Sequence, residues 1–179
     1  MKLPSDFWHI KGTKQGPRVL VLGGTHGNEL TGIEVVRFFR EKFNLTEDVF
    51  EATSDMTGDL YLGLGNPLAI QNNSRAVLDG PDLNRSFSAP EIDATPLPSD
   101  RPDLVRAREL APLLRKIDYL FDVHATSNPS EPFVCFDTAD PSLLALSAVI
   151  PVRYILIDPN HTYLQVEGVA DFCTTDSFV

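Results

Sequence analysis

From Pro17 to Gly24 the chain reads PRVLVLGG, an unbroken apolar run closed by two glycines. A strand buried on both faces reads this way, because neither face needs polar positions. The period then changes: Leu30, Ile33, Val36, Phe39 and Phe43 recur three or four residues apart, which predicts a helix over 30–43 with Asn44 at its end. Leu60, Leu62 and Leu64 alternate as in a strand. Helical spacing returns over 103–116, with Asp103 near the start and Pro112 placed to kink the helix. IDYLFDVHAT (117–126) predicts a second buried strand, 133–136 and 153–157 two more, and 141–150 a helix between those two. Strands alternating with helices give an α/β fold with parallel strand pairs.

The stretch 57–100 breaks this rhythm after its short strand pattern, running on as an irregular segment rich in Asn, Asp, Pro and Ser. Long irregular segments in compact domains tend to carry function. The whole chain of 179 residues suits one domain, 1–179, with a sizeable core. An apolar fraction of 42% and a charged fraction of 22% are ordinary for a soluble globular protein. The net charge of -10, with no Lys/Arg cluster, argues against a nucleic-acid partner. Any anionic substrate must then be held by local arginines against an unfavourable long-range field. No apolar run approaches the roughly 20 residues that span a bilayer, and MKLPSDFWHIKG lacks the apolar core of a signal peptide. A cytoplasmic protein without a membrane partner is expected. Cys135 and Cys173 form no CxxC pair and read as reduced residues in or near the core.

Two of the predicted strands end in a histidine, His26 and His124. Ligand sites in open α/β sheets gather at the carboxyl ends of strands, so the two converge if their strands are neighbours. Glu29, three residues after His26, can face the same point. Two imidazoles and a carboxylate form a three-ligand set typical of catalytic zinc, which leaves the fourth position for water. Taken singly, HxxE reads first as a helix start with an acid in its first turn, and the metal reading rests on what accompanies it. DLNRSF (82–87) adds Arg85, whose planar fork suits a carboxylate, and the Asn84 amide beside it. By itself that segment reads equally as a solvated turn.

In chain order, GGTHGNE, then NPLA…R…DLNR.F, then DVHATSN resemble the aspartoacylase and succinylglutamate desuccinylase family, relatives of the zinc carboxypeptidases. The likeness runs from about residue 18 to 128 and returns weakly at HTY, 161–163. It implies a three-layer α/β/α fold with a central mixed sheet and one Zn²⁺ per chain held by His26, Glu29 and His124. It also implies that Arg75 polarises the scissile carbonyl, that Asn84, Arg85 and Tyr163 bind substrate, and that Asp82 holds the other nitrogen of His26. Asp122 reads either as a similar support or as a polar strand end. The implied activity is zinc-dependent deacylation of a small anionic N-acyl amino acid, with zinc-bound water attacking the acyl carbonyl. A zinc carboxypeptidase and a catalytically silent zinc protein that binds an acidic metabolite or partner are the alternatives. Assembly as a homo-oligomer is left open.

Two departures from the family pattern stand out. Glu167 occupies the position at which aspartoacylase has a substrate-gripping arginine, which disfavours N-acetylaspartate. The family's general-base glutamate lies further along, and the chain ends at DFCTTDSFV before it and before the β-rich C-terminal domain. The expectation is a chain without that base, either a piece of a longer protein or a natural short form.

Overall fold

The computed structural model describes residues 2–77, 80–87, 89–93, 100–136, 138–158 and 177–178. A four-stranded sheet runs β2–β1–β3–β6, built from β1 (Phe7–Gly23), β2 (Glu51–Leu64), β3 (Tyr119–Val123) and β6 (Ser177–Phe178). β4 (Phe133–Phe136) and β5 (Tyr154–Ile157) pair in parallel as a separate two-stranded sheet. β1 and β2 are long because each doubles back. Val19 with Leu60 through Gly23 with Leu64 step in the same sense, whereas Phe7 with Gly63, Trp8 with Leu62, His9 with Tyr61 and Ile10 with Leu60 step in opposite senses. The expected mixed character of the sheet lies in that opposed run. Gly58 sits where β2 reverses, at φ 83°, and a side chain there would strike the carbonyl of Pro17.

Helices cover both faces. α1 (Leu30–Lys42) packs Val36 against Trp8, Ile10 and Leu62, with Val21 beside them. α4 (Pro102–Leu114) packs Ala107, Leu110, Ala111 and Leu114 against Leu20, Leu22 and Leu120. Successive residues of β1 thus enter opposite cores, which is why the strand reads as a continuous apolar run. The result is the three-layer α/β/α arrangement. α5 (Pro141–Ser147), capped by Asp140 accepting from the Ser142 N–H at 2.7 Å, adds Leu143 to a third cluster with Val134 and Phe136.

Several local expectations need adjustment. Leu30, placed on the inner stripe of α1 by its spacing, is 60% exposed, and the residue of the first turn that meets the sheet is the buried Gly32; Phe39 and Phe43 are half-buried. Asn44 takes φ 54°, the left-handed conformation with which Asn ends helices. Pro112 does not end α4, which runs on to Leu114; the helix forgoes the one i→i−4 bond that the missing N–H would make. The segment around Phe7 and Trp8 and the polar run Glu51–Thr57 form strand that periodicity does not reveal. Within the irregular stretch lie α2 (Pro67–Gln71), capped by Asn66, a 3-10 turn (Leu83–Arg85) and α3 (Ala89–Asp93). Cys135 is buried and in no disulfide among the described residues, and Cys173 lies outside them. Among the described residues no helix is long and apolar enough to cross a membrane.

One buried cation ties the layers together beside the strand ends. Arg106, 9% exposed, donates from Nε to the Gly65 carbonyl at 2.8 Å and from Nη2 to those of Leu64 at 2.8 Å and Ser5 at 3.0 Å. Its Nη1 meets Glu109 Oε2 at 2.6 Å. Gly65 and Asn66 in turn donate their N–H groups to the carbonyls of Gly23 and Gly24, just past β1. A lysine at this position has no fork to satisfy three carbonyls at once. Arg106→Lys is expected to lower unfolding stability by about 2–4 kcal/mol, read as a reduced urea midpoint at unchanged slope. A shift below about 0.5 kcal/mol, within the range of ordinary surface substitutions, would contradict this role.

Candidate metal centre

β1 is the point at which the sheet order reverses, with β2 on one side and β3 on the other. A crevice opens at such a switch point outside the carboxyl ends of the strands. Gly23 pairs with Val123, so the residues that follow both strands emerge side by side. The Glu29 N–H donates to the His26 carbonyl at 3.1 Å and closes a turn, which folds the HxxE segment back over the strand end. Gly32 lets α1 settle directly on this junction: a side chain there would strike the Val123 carbonyl and the Cα of Gly23.

His26, Glu29 and His124 meet in the crevice, each offering a ligand atom within 4.8 Å of the others. His26 Nδ1 lies 2.8 Å from Glu29 Oε1, His124 Nδ1 lies 2.9 Å from Oε2, and the two Nδ1 atoms are 3.1 Å apart. The far nitrogens are both engaged. His26 Nε2 is 3.0 Å from Asp82 Oδ1, and His124 Nε2 is 2.9 Å from Asp122 Oδ2. An ionised carboxylate only accepts, so each Nε2 carries a proton, and each Nδ1, once stripped of its own proton, presents a lone pair to the point it shares with Glu29. Two such lone pairs and a carboxylate facing one another can hold a metal cation. Mixed nitrogen and oxygen donors, three in number, fit Zn²⁺ with one position open.

The electrostatics agree. Burial works against charge on His124, yet Asp122 and Glu29 overcome it and push its pKa up to about 10. His26 is also raised, Asp82 and Glu29 prevailing over burial. Burial opposes ionisation of Glu29, but bonds from His124, His26 and the Ala125 N–H hold it well below the usual carboxylate range. Asp82, likewise half-buried, is brought down to about 2 by His26, the Asn84 N–H and Arg75. Protons stand in where a metal would bind, and metal binding expels them.

Around this cluster the structure gathers most of the other predicted residues. Arg75, 53% exposed, donates from Nε and Nη2 to Asp82 Oδ2 at 3.1 and 2.9 Å, and its Nη1 lies 3.5 Å from Glu29 Oε1. Asp82 caps the 3-10 turn by accepting from the Asn84 N–H at 2.9 Å, which sets Asn84 and Arg85 on the crevice wall. The crevice has a volume of about 840 Å³, and its far side is apolar, with Phe133, Val134, Ile150 and Leu156. Tyr163 and Glu167 lie outside the described residues. Asp122 is the support of His124, and Thr25, which sequence reasoning missed, donates to Asp122 Oδ1 at 3.0 Å. The spacing of DVH on a strand puts Asp122 and His124 on one face, a signal available in the sequence. Thr25 left none.

A family model described as "Succinylglutamate desuccinylase/Aspartoacylase catalytic domain" matches residues 15–157. An N-acyl-aromatic-L-amino acid amidohydrolase (carboxylate-forming) of Xenopus laevis is 29% identical over 168 residues, 84% of this chain and 52% of that protein. A probable aspartoacylase of Nostoc sp. is 33% identical over 160 residues, 83% of this chain and 51% of that protein. The chain spans about half the length of these curated relatives. Murine aminoacylase 3 superposes with a TM-score of 0.67 at 24% identity, over 90% of this chain and 55% of that one. An aspartoacylase family protein from Mesorhizobium loti superposes with a TM-score of 0.71 at 21% identity, over 98% of this chain and 57% of that one. These likenesses show a shared fold, with the zinc-carboxypeptidase-like architecture. With ordered motifs, a converging ligand set and a family match across most of its length, the chain belongs to the succinylglutamate desuccinylase/aspartoacylase family.

Proposed function

We propose that this chain carries the metal centre and part of the substrate crevice of a zinc-dependent amidohydrolase that splits an N-acyl amino acid into a carboxylate and a free amino acid. The observation that carries the reading is the pair of Nδ1 atoms converging on Glu29 while Asp82 and Asp122 hold both Nε2 atoms. Zinc held by His26, Glu29 and His124 would supply a Lewis acid for the acyl carbonyl and a water whose pKa falls to about 7.

The chain's own residues do the rest. Asp82 and Asp122 keep the two imidazoles in the tautomer and orientation that present Nδ1. Arg75 reaches over Glu29 from the rim, where its guanidinium can donate to an oxygen that gains negative charge as the acyl carbon is attacked. Asn84 and Arg85 receive the amino acid's carboxylate, an anion held by local donors on an acidic protein. Tyr163 belongs to this proposal as a further substrate contact. The relatives, an N-acyl-aromatic-L-amino acid amidohydrolase and a probable aspartoacylase, support the reaction class. The apolar far side of the crevice favours an apolar or aromatic amino acid over aspartate.

Elemental analysis of the purified protein is expected to give about one zinc per chain, with the metal lost in both His26→Ala and His124→Ala variants that keep the parent circular dichroism. Retention of zinc by either variant would remove these residues from the ligand set. The zinc-loaded protein is expected to release acetate from N-acetyl-L-phenylalanine or N-acetyl-L-tyrosine faster than from N-acetyl-L-aspartate. Arg75→Ala should lower kcat by about 10²–10³ at intact zinc content, the usual loss of an oxyanion donor. Stoichiometric zinc with no turnover of any N-acyl amino acid in the natural full-length chain would favour the silent binding protein instead.

A further inference from the structure

Behind the turn that carries Asn84 and Arg85 lies a buried ionic device that the reaction as described does not use. Asp103, in the first turn of α4, is only 3% exposed, and Ser86, which follows Arg85, is fully buried. The Ser86 hydroxyl lies 2.7 Å from Asp103 Oδ2 and 3.0 Å from the carbonyl of Asp82. It has one proton to give, and both partners are acceptors. The Asp82 carbonyl already takes the Arg85 N–H at 3.0 Å, so the hydroxyl proton goes to the nearer, charged oxygen. Arg101 fixes that carboxylate through Nε at 3.0 Å and Nη2 at 2.6 Å. Burial opposes the charge, yet Arg101 and Ser86 keep Asp103 below the ordinary carboxylate range.

We propose that Asp103, acting through Ser86, is a positioning residue that sets the Asp82–Arg85 turn and thereby the aim of the substrate-carboxylate donors. The inference rests on the functional reading above for what the turn binds. A three-residue 3-10 turn has little rigidity of its own, so its orientation depends on what holds its two ends. At the front, Asp82 is tied to His26, Arg75 and the Asn84 N–H; at the back, Ser86 is tied to α4. The same helix grips the Leu64 and Gly65 carbonyls through Arg106, so one rigid element registers the strand ends and the turn together. Stability alone gives no reason for a charge here, because well-packed apolar side chains usually hold such a contact at no loss. A directional bond gives one.

The test compares Ser86→Ala, Asp103→Ala and Asp103→Asn with the core variant Leu45→Ala, all in the zinc-loaded protein. Ser86→Ala and Asp103→Ala are expected to raise KM for N-acetyl-L-phenylalanine about tenfold, the scale of one charged hydrogen bond, with kcat and zinc content nearly unchanged. Their combination should be no worse than either alone, because both break the same contact. Asp103→Asn keeps an oxygen acceptor and should recover most of the loss. Leu45→Ala, in the core beneath α1, should lower the unfolding midpoint while leaving KM within about twofold. Backbone amide resonances of Asn84 and Arg85 should move in the first two variants and stay in place in the last. Unmoved resonances with unchanged KM would overturn the proposal, as would a KM that rises in step with lost stability across all four variants. If the parent protein turns over no N-acyl amino acid, the functional reading fails, and the amide resonances still decide the positional claim.

Discussion

Two histidine nitrogens held 3.1 Å apart, each facing an oxygen of Glu29, set the constraint on which the rest of the molecule depends. Left alone they repel. Holding them there requires neighbouring parallel strands that deliver both histidines to one edge, a tight turn that returns Glu29, and two carboxylates that occupy the outward nitrogens. The sheet order meets the first requirement, because β1 lies between β2 and β3. Gly32 meets the second by letting α1 sit on the strand ends without an intervening side chain. Asp82 and Asp122 meet the third from opposite sides, one on a turn and one on a strand.

The supports form a connected frame. Arg106 on α4 grips the carbonyls at the end of β2, whose next N–H groups reach the residues after β1. Asp103 on the same helix holds the back of the turn whose front, Asp82, touches His26 and Arg75. Burying these charges costs desolvation that salt bridges rarely repay in full. Their return is geometric: the side chains at the crevice are held in fixed relative positions.

Much of this was legible in the sequence, for identifiable reasons. PRVLVLGG and IDYLFDVHAT announce buried strands because both faces are apolar, and each is followed closely by its histidine. The resemblance of three ordered motifs implied Asp82 beside His26, and the structure places it at 3.0 Å. What stayed hidden depends on long-range pairing. Glu51–Thr57 is polar because it lies on an outer edge, and Phe7–Ile10 is strand only because the chain doubles back against Leu60–Gly63. Leu30 follows the helical period yet faces solvent, since spacing reports a stripe and not which of its residues meets the sheet. Thr25 and Asp103 carry no local signal at all; their roles exist only once distant segments meet.

The central claim is that His26, Glu29 and His124 gather one divalent cation through two imidazoles and a carboxylate. X-ray absorption at the zinc edge of the zinc-loaded protein tests it most directly, because imidazole rings leave a distinct multiple-scattering signature. The account predicts two imidazoles per zinc, the remaining ligands oxygen and no sulfur. Fewer than two imidazoles, or sulfur from a cysteine, would contradict it.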